Sequence, residues 1–197
     1  MKSEGHSIGI FGGTFDPVHI GHLIVAEWLT EMLEIKTTFF VPAKIHPFFK
    51  RENISSAEDR LNMLQLAIQD YPLFQVNEIE LKREGISYSV DTVAAFRDLY
   101  PSETLYFFMG MDNLNSFQEW KEPLELLKMC YVVVYNRGEK IEQNNWLEHP
   151  RVISVDSPLV EISSSHIRQR IKKGLAFKSL VPHHVFEYIT QKKLYHL

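Results

Sequence analysis

Two histidines three residues apart, His19 and His22, follow a pair of glycines in the string Gly12-Gly13-Thr14-Phe15-Asp16-Pro17-Val18-His19-Ile20-Gly21-His22. Glycine has no Cβ and tolerates positive φ, so Gly12-Gly13 lets the main chain bend and lie close to a ligand. If a helix begins near Val18, the two imidazoles share one face of its first turn. That turn also carries unpaired N–H groups and the positive end of the helix dipole, which suit an anion such as phosphate. Zinc is a poor reading, because His-x-x-His here has no cysteine or further ligand at a recognisable spacing.

A second stretch of the same character lies far down the chain, Ile162-Ser163-Ser164-Ser165-His166-Ile167-Arg168. Its serines can cap a helix running to about Lys173, with Gly174 as the stop, and Arg168 falls in the first turns. Alone, each stretch is an ordinary helix start. Together they predict two helix N-termini facing one polyanion, with His19, His22 and Arg168 as donors.

The elements that must position these groups read as an alternation of strands and helices. Ser7 to Phe11 is a short β-branched run ended by the glycines, a helix spans about Gly21 to Leu33, and Thr37 to Val41 is a second strand, so the pair implies a parallel crossover. A helix from Ser56 to about Tyr71 follows, then a strand from Phe74 to Ile79, a charged loop from Leu81 to Ser87, and a helix from Val90 to Leu99 capped by Ser89. Leu105 to Met109 and Tyr131 to Tyr135 are continuous apolar runs of the buried parallel type, separated by a helix from Leu124 to Met129. Arg151 to Val155 is a last strand. Pro182 to Lys192 is a C-terminal helix with Val185, Tyr188 and Ile189 turned inward. The expected fold is α/β, a Rossmann-like doubly wound, mainly parallel sheet with helices on both faces and a small C-terminal helical part. In such sheets ligands bind at the carboxyl ends of strands, which is where Asp112 and the Ala43 to Ser55 loop fall.

Composition narrows the function classes. With 197 residues, 45% of them hydrophobic, the chain can bury a sizeable core as one domain. A formal charge of -4 gives no overall basic field of the kind that gathers nucleic acid. Cys130 is the single cysteine, so no intrachain disulfide can form, and its setting before Tyr131-Val132-Val133-Val134 reads as core rather than nucleophile. No stretch reaches membrane-spanning length and no signal-peptide apolar region precedes the first strand, so a soluble cytoplasmic protein with no membrane partner is expected.

The Gly12 to His22 string lacks the Gly-x-Gly-x-x-Gly and Gly-Lys-Ser/Thr patterns and resembles instead the signature of the nucleotidyltransferase superfamily. Ile86 to Thr92, Phe108 to Asp112, Phe117 with Trp120, Ile162 to Arg168, and Leu180 through Tyr195 are similar, in order and spacing, to the bacterial nicotinate-nucleotide adenylyltransferase family. The resemblance implies one nucleotidyltransferase domain over 1–197, with 163–197 completing the ATP site. It implies transfer of AMP from ATP, carrying magnesium, to nicotinate mononucleotide, giving the deamido dinucleotide and pyrophosphate. It assigns His19, His22 and Arg168 to catalysis. It assigns Gly12, Gly13, Thr14, Phe15, Asp112, Arg137, Ser163, Ser164 and Ile167 to ATP, Tyr88, Thr92, Trp120 and Lys50 to the acceptor, and no protein ligand to a metal.

Departures from the family pattern cluster on the acceptor side. The loop after the second strand reads Ile45-His46-Pro47-Phe48-Phe49-Lys50 where the family has Pro-Pro-His-Lys/Arg, leaving His46 or Lys50 as the substitute. Gly-Ala-Asp has become Gly110-Met111-Asp112, Lys121 replaces a tyrosine, and no proline follows Arg137. The alternatives are preference for the amide nucleotide or for phosphopantetheine, and, from another class, a non-catalytic nucleotide sensor on the same fold. A purely structural role leaves the two phosphate-type stretches without a shared purpose.

Overall fold

The computed structural model describes residues 6–45, 54–135 and 144–196. Its sheet is built from β1 (Ser7–Gly13), β2 (Thr37–Pro42), β3 (Phe74–Val76), β4 (Thr104–Gly110), β5 (Tyr131–Tyr135) and β6 (Val152–Val155). Among the described residues these form one sheet in the order β3-β2-β1-β4-β5-β6, and every pairing is parallel. The expected mainly parallel sheet is thus wholly parallel here. β1 is central, with β2 on one side and β4 on the other.

Successive strand residues point to opposite faces, and that alternation divides the core. Phe11, Phe40, Phe108 and Val133 face one layer, where they meet Leu23, Ala26 and Leu29 of α1 (Ile20–Met32), Met63 and Leu64 of α2 (Ala57–Ile68), Ile167 and Ile171 of α7 (Ser164–Lys172), and Val185 and Ile189 of α8 (His183–Lys192). Ile10, Phe39, Phe107 and Val132 face the other, against Val93 and Phe96 of α4 (Ser89–Leu99) and Leu126 and Leu127 of α6 (Pro123–Met129). Both faces are covered, which is why β4 and β5 read as unbroken apolar runs. Tyr188, expected to turn inward, is only partly buried, and it bonds Asp59 and Asn62 through its hydroxyl.

Three local features differ from the sequence reading. β1 does not end at Phe11: it pairs with β2 through Gly12 and Gly13, and neither glycine has positive φ. The left-handed residue at this corner is Phe15, at φ 50°. β3 stops at Val76, because Asn77 Oδ1 accepts from Ile79 N and the chain turns into the short α3 (Ile79–Lys82). Ser89 lies inside α4, whose N-cap is Tyr88.

Candidate active site

A cavity of about 380 Å³ opens between the carboxyl ends of β1 and β4, where the chain order along the sheet reverses. This is the switch point at which doubly wound sheets bind ligands, and the volume falls within the range of ligand sites. Its floor is apolar, with Phe11, Phe107, Phe108 and Tyr135 among its walls. Thr14, His22, Asn113, Tyr88, Trp120 and Lys121 bring polar atoms to it.

The β1 end supplies main chain and imidazole. Gly12, Gly13 and Thr14 all line the cavity. A Cβ on Gly13 would lie 2.9 Å from Phe15 Cζ, so it is the close approach of the Phe15 ring that requires glycine there. Phe15 itself is buried, its ring 5.0 Å from that of His22 in an edge arrangement. It shapes the corner from behind rather than lining it.

His19 is the N-cap of α1, not a member of its first turn. Its backbone N–H donates to His22 Nδ1 at 3.2 Å, and the two rings stack with centroids 3.6 Å apart. A neutral imidazole that accepts at Nδ1 carries its proton on Nε2, so His22 is oriented as an Nε2 donor. His22 reaches the cavity wall. His19 is 5% exposed and lies behind it.

The start of α7 is fastened to the turn that leads into α1. Ser164 Oγ donates to Pro17 O at 2.9 Å, and Arg168 Nη1 donates to Asp16 O at 2.5 Å and lies 3.8 Å from Asp16 Oδ2. Residues 147 and 152 positions apart in sequence are thereby joined. Ser163 caps its own helix, accepting from His166 N. Ile167 is fully buried and its N–H is bonded to Ser163 O. Its side chain packs in the core, and Ile167 is not among the residues lining the cavity.

Tyr88, Trp120 and Lys121 also line the cavity. The Trp120 ring packs edge-on against Phe117 and Phe107, at 5.5 and 6.2 Å. Lys121 Nζ binds both carboxylate oxygens of Asp91, at 2.9 and 3.1 Å, and stands 5.0 Å from the Tyr88 ring centroid. Thr92, expected on the acceptor side, is 1% exposed and donates to Glu80 Oε1 at 2.6 Å. The fourth position of α4 turns it into the protein, so it supports the wall instead of forming it. Asp112 is exposed on α5 (Met111–Asn115), and the adjacent Asn113 is the side chain on the wall. Lys50, His46 and Arg137 lie outside the described residues.

Sequence reasoning did not single out Glu80. It is a buried acid on the cavity wall, held by Thr92 and Ser87, and burial raises its carboxyl above the ordinary range. The one signal for it was a carboxylate bracketed by apolar Ile79 and Leu81.

A parallel sheet with its cavity at the switch point, a glycine-rich strand end and paired imidazoles at a helix start define a nucleotidyltransferase. Residues 10–170 match the family model described as cytidylyltransferase-like. A Carboxydothermus hydrogenoformans protein described as a probable nicotinate-nucleotide adenylyltransferase is 39% identical, over 97% of this chain and 98% of its own length. Its counterpart from Dictyoglomus turgidum is 37% identical over 95% of each chain. The solved structure of Plasmodium falciparum nicotinic acid mononucleotide adenylyltransferase complexed with NaAD superposes with a TM-score of 0.81 at 20% identity, covering 96% of this chain and 97% of that one, and so shares the fold. The chain belongs to the nicotinate-nucleotide adenylyltransferase family.

Proposed function

We propose that this chain transfers AMP from ATP to nicotinate mononucleotide, releasing pyrophosphate. The observation that carries the reading is the fastening of α7, through Arg168 and Ser164, to the Asp16-Pro17 turn before α1. It brings a guanidinium and two helix starts to the turn that follows Gly12, Gly13 and Thr14, three residues of a cavity lining that also includes His22, Tyr88 and Trp120.

The acceptor's phosphate has a second pKa near 6, so it is largely a dianion at neutral pH and no base is needed to free its nucleophilic oxygen. That oxygen bonds to the α-phosphorus of ATP. The bond to the α,β-bridging oxygen breaks, and pyrophosphate leaves with the electron pair. Catalysis then consists of aligning the two phosphates and stabilising negative charge that grows on the bridging and leaving oxygens. His22 Nε2, the α1 N-terminus and Arg168 are the groups for that task. His19 acts through His22, which its N–H and stacked ring orient. In this reading Gly12, Gly13 and Thr14 offer main chain to the phosphates, with Ser163 and Ser164 across from them. Tyr88 and Trp120 hold the pyridine ring, and residues 163–197 complete the ATP side of a single domain.

Magnesium enters as part of the ATP substrate. Among the described residues no group of three His, Cys, Asp or Glu side chains is arranged to hold a metal ion. No helix among them is long and apolar enough to cross a membrane.

Pyrophosphate release with ATP, magnesium and each candidate acceptor tests the proposal. Release is expected with nicotinate mononucleotide and to be weaker with nicotinamide mononucleotide and phosphopantetheine. Absence of release with the first overturns it. Replacing His22 by Ala should lower kcat by about a hundredfold or more while ATP binding is nearly kept. Wild-type protein that binds ATP and turns over none of the acceptors is a sensor instead.

A further inference from the structure

The carboxylate of Asp16 is 1% exposed and sits among groups drawn from three distant parts of the chain. Tyr195 Oη donates to Oδ1 at 2.7 Å and Ser55 N donates to the same oxygen at 3.3 Å. Oδ2 accepts no hydrogen bond among the described residues, and the Arg168 guanidinium stands 3.8 Å away. Arg60, also buried, donates to Thr14 O at 2.8 Å and feels the Asp16 charge. A carboxylate taken out of water must be compensated by charge and hydrogen bonds, and here the two oxygens are compensated differently.

We propose that Asp16 is a positioning residue for Arg168 and that Tyr195, near the far end of the chain, decides which Asp16 oxygen faces that guanidinium. The proposal rests on the reading that Arg168 acts on the triphosphate. Two hydrogen bonds to Oδ1 pin the carboxylate against rotation, which leaves Oδ2 turned to Arg168 as a charge without a directed bond. The guanidinium is held in line by the Asp16 main-chain oxygen, while Oδ2 attracts it without gripping it.

Tyr195 is brought to this point by the chain itself. After α8, Lys193 and Tyr195 both take left-handed conformations, at φ 52° and 67°, and the second returns the ring over Met63 to Asp16. Burial and the Asp16 charge push the Tyr195 phenol well above its ordinary range, so it remains a donor at any working pH. Removing the hydroxyl frees the carboxylate to turn and pair with Arg168 through both oxygens, drawing the guanidinium towards Asp16 and away from the triphosphate.

The test uses the full chain with Tyr195→Phe, Asp16→Asn, Arg168→Ala and the double variant Tyr195→Phe/Arg168→Ala, assayed by pyrophosphate release. Tyr195→Phe is expected to lower kcat/KM for ATP about tenfold, with KM for the acceptor within about twofold of wild type, and the double variant to be no worse than Arg168→Ala alone. Asp16→Asn should show the same ATP-selective loss, and thermal melts establish that each variant is folded. Wild-type kinetics in Tyr195→Phe, or losses that multiply in the double variant, overturn the proposal while leaving the reading of Arg168 intact. Wild-type turnover in Arg168→Ala overturns both.

Discussion

Thr92 Oγ1 donates a 2.6 Å hydrogen bond to Glu80 Oε1 behind the cavity wall, and the same hydroxyl accepts from Arg83 Nη2 at 3.0 Å. One threonine thus stands between a carboxyl and a guanidinium twelve and nine residues before it. The arrangement lets an acid be buried beside Ser87 and Tyr88, the segment that faces the cavity.

Burial raises the Glu80 carboxyl above its ordinary value of 4.5, against opposing hydrogen bonds from Thr92 and Ser87 and the charge of Arg83. A raised pKa means that the folded state binds the proton more tightly. The associated stability is fully present below pH 4.5 and is lost as pH rises through the folded-state value. Glu80→Gln should therefore melt higher than wild type at neutral pH, with the gap closing towards pH 4. Parallel curves across that window would count against the assignment. Thr92→Val, which leaves both partners short of a bond, should cost about 1–3 kcal/mol.

Lys121 offers a different kind of prediction, because its pair with Asp91 is more than a third exposed on both sides. Such pairs add little to stability and are screened by salt, so Lys121→Ala should leave the melting temperature almost unchanged. An ammonium beside Tyr88 and Trp120 does attract an anionic acceptor. The variant is expected to raise KM for nicotinate mononucleotide several-fold, more than for the amide nucleotide, and to leave KM for ATP alone. Steady-state assays at low and high salt check this, and equal effects on the two acceptors would remove Lys121 from selectivity.

What the sequence disclosed was local and periodic. The runs Leu105 to Met109 and Tyr131 to Tyr135 read as buried strands because both faces of the sheet are covered, and Ser163 with Gly174 marked the limits of α7. What it concealed depends on contacts between distant segments. Asp16 and Tyr195 are 179 positions apart, and nothing in either neighbourhood announces the other. Thr92 and Ile167 stand within recognisable strings, yet their helices turn them inward, since a motif fixes residue types and leaves side-chain direction to packing. The α3 turn escaped because four residues are too few for a helical period to show against an adjoining strand.

Cys130 is buried, with Sγ donating to Leu126 O at 3.4 Å, and burial pushes its thiol up to about 12. The thiolate is the reactive form. Native protein at pH 8 should therefore resist alkylation that proceeds readily in denaturant. Cys130→Ala should keep full turnover while costing about 1 kcal/mol for the small cavity left behind. Rapid labelling of the folded chain, or loss of turnover in the variant, would contradict a purely packing role.

Gly12 and Gly13 are adjacent in β1 and should respond oppositely to a single methyl group. A Cβ at Gly13 would press on the Phe15 ring at 2.9, 3.1 and 3.2 Å, whereas one at Gly12 would find only Phe107 carbons at 3.8 Å, an ordinary contact. Phe15 cannot retreat, since its ring is wedged against Phe11, Phe40 and His22. Gly13→Ala is accordingly expected to lose about 1–3 kcal/mol through overpacking and to disturb the His22 ring with it, lowering kcat. Gly12→Ala should fold within about 0.5 kcal/mol of wild type. Its methyl would nonetheless occupy the cavity edge where main chain is to meet phosphate, so KM for ATP should rise with kcat largely kept. Urea melts and ATP titrations of the two variants separate these effects. A Gly12→Ala enzyme with unaltered KM for ATP would place the triphosphate elsewhere in the cavity.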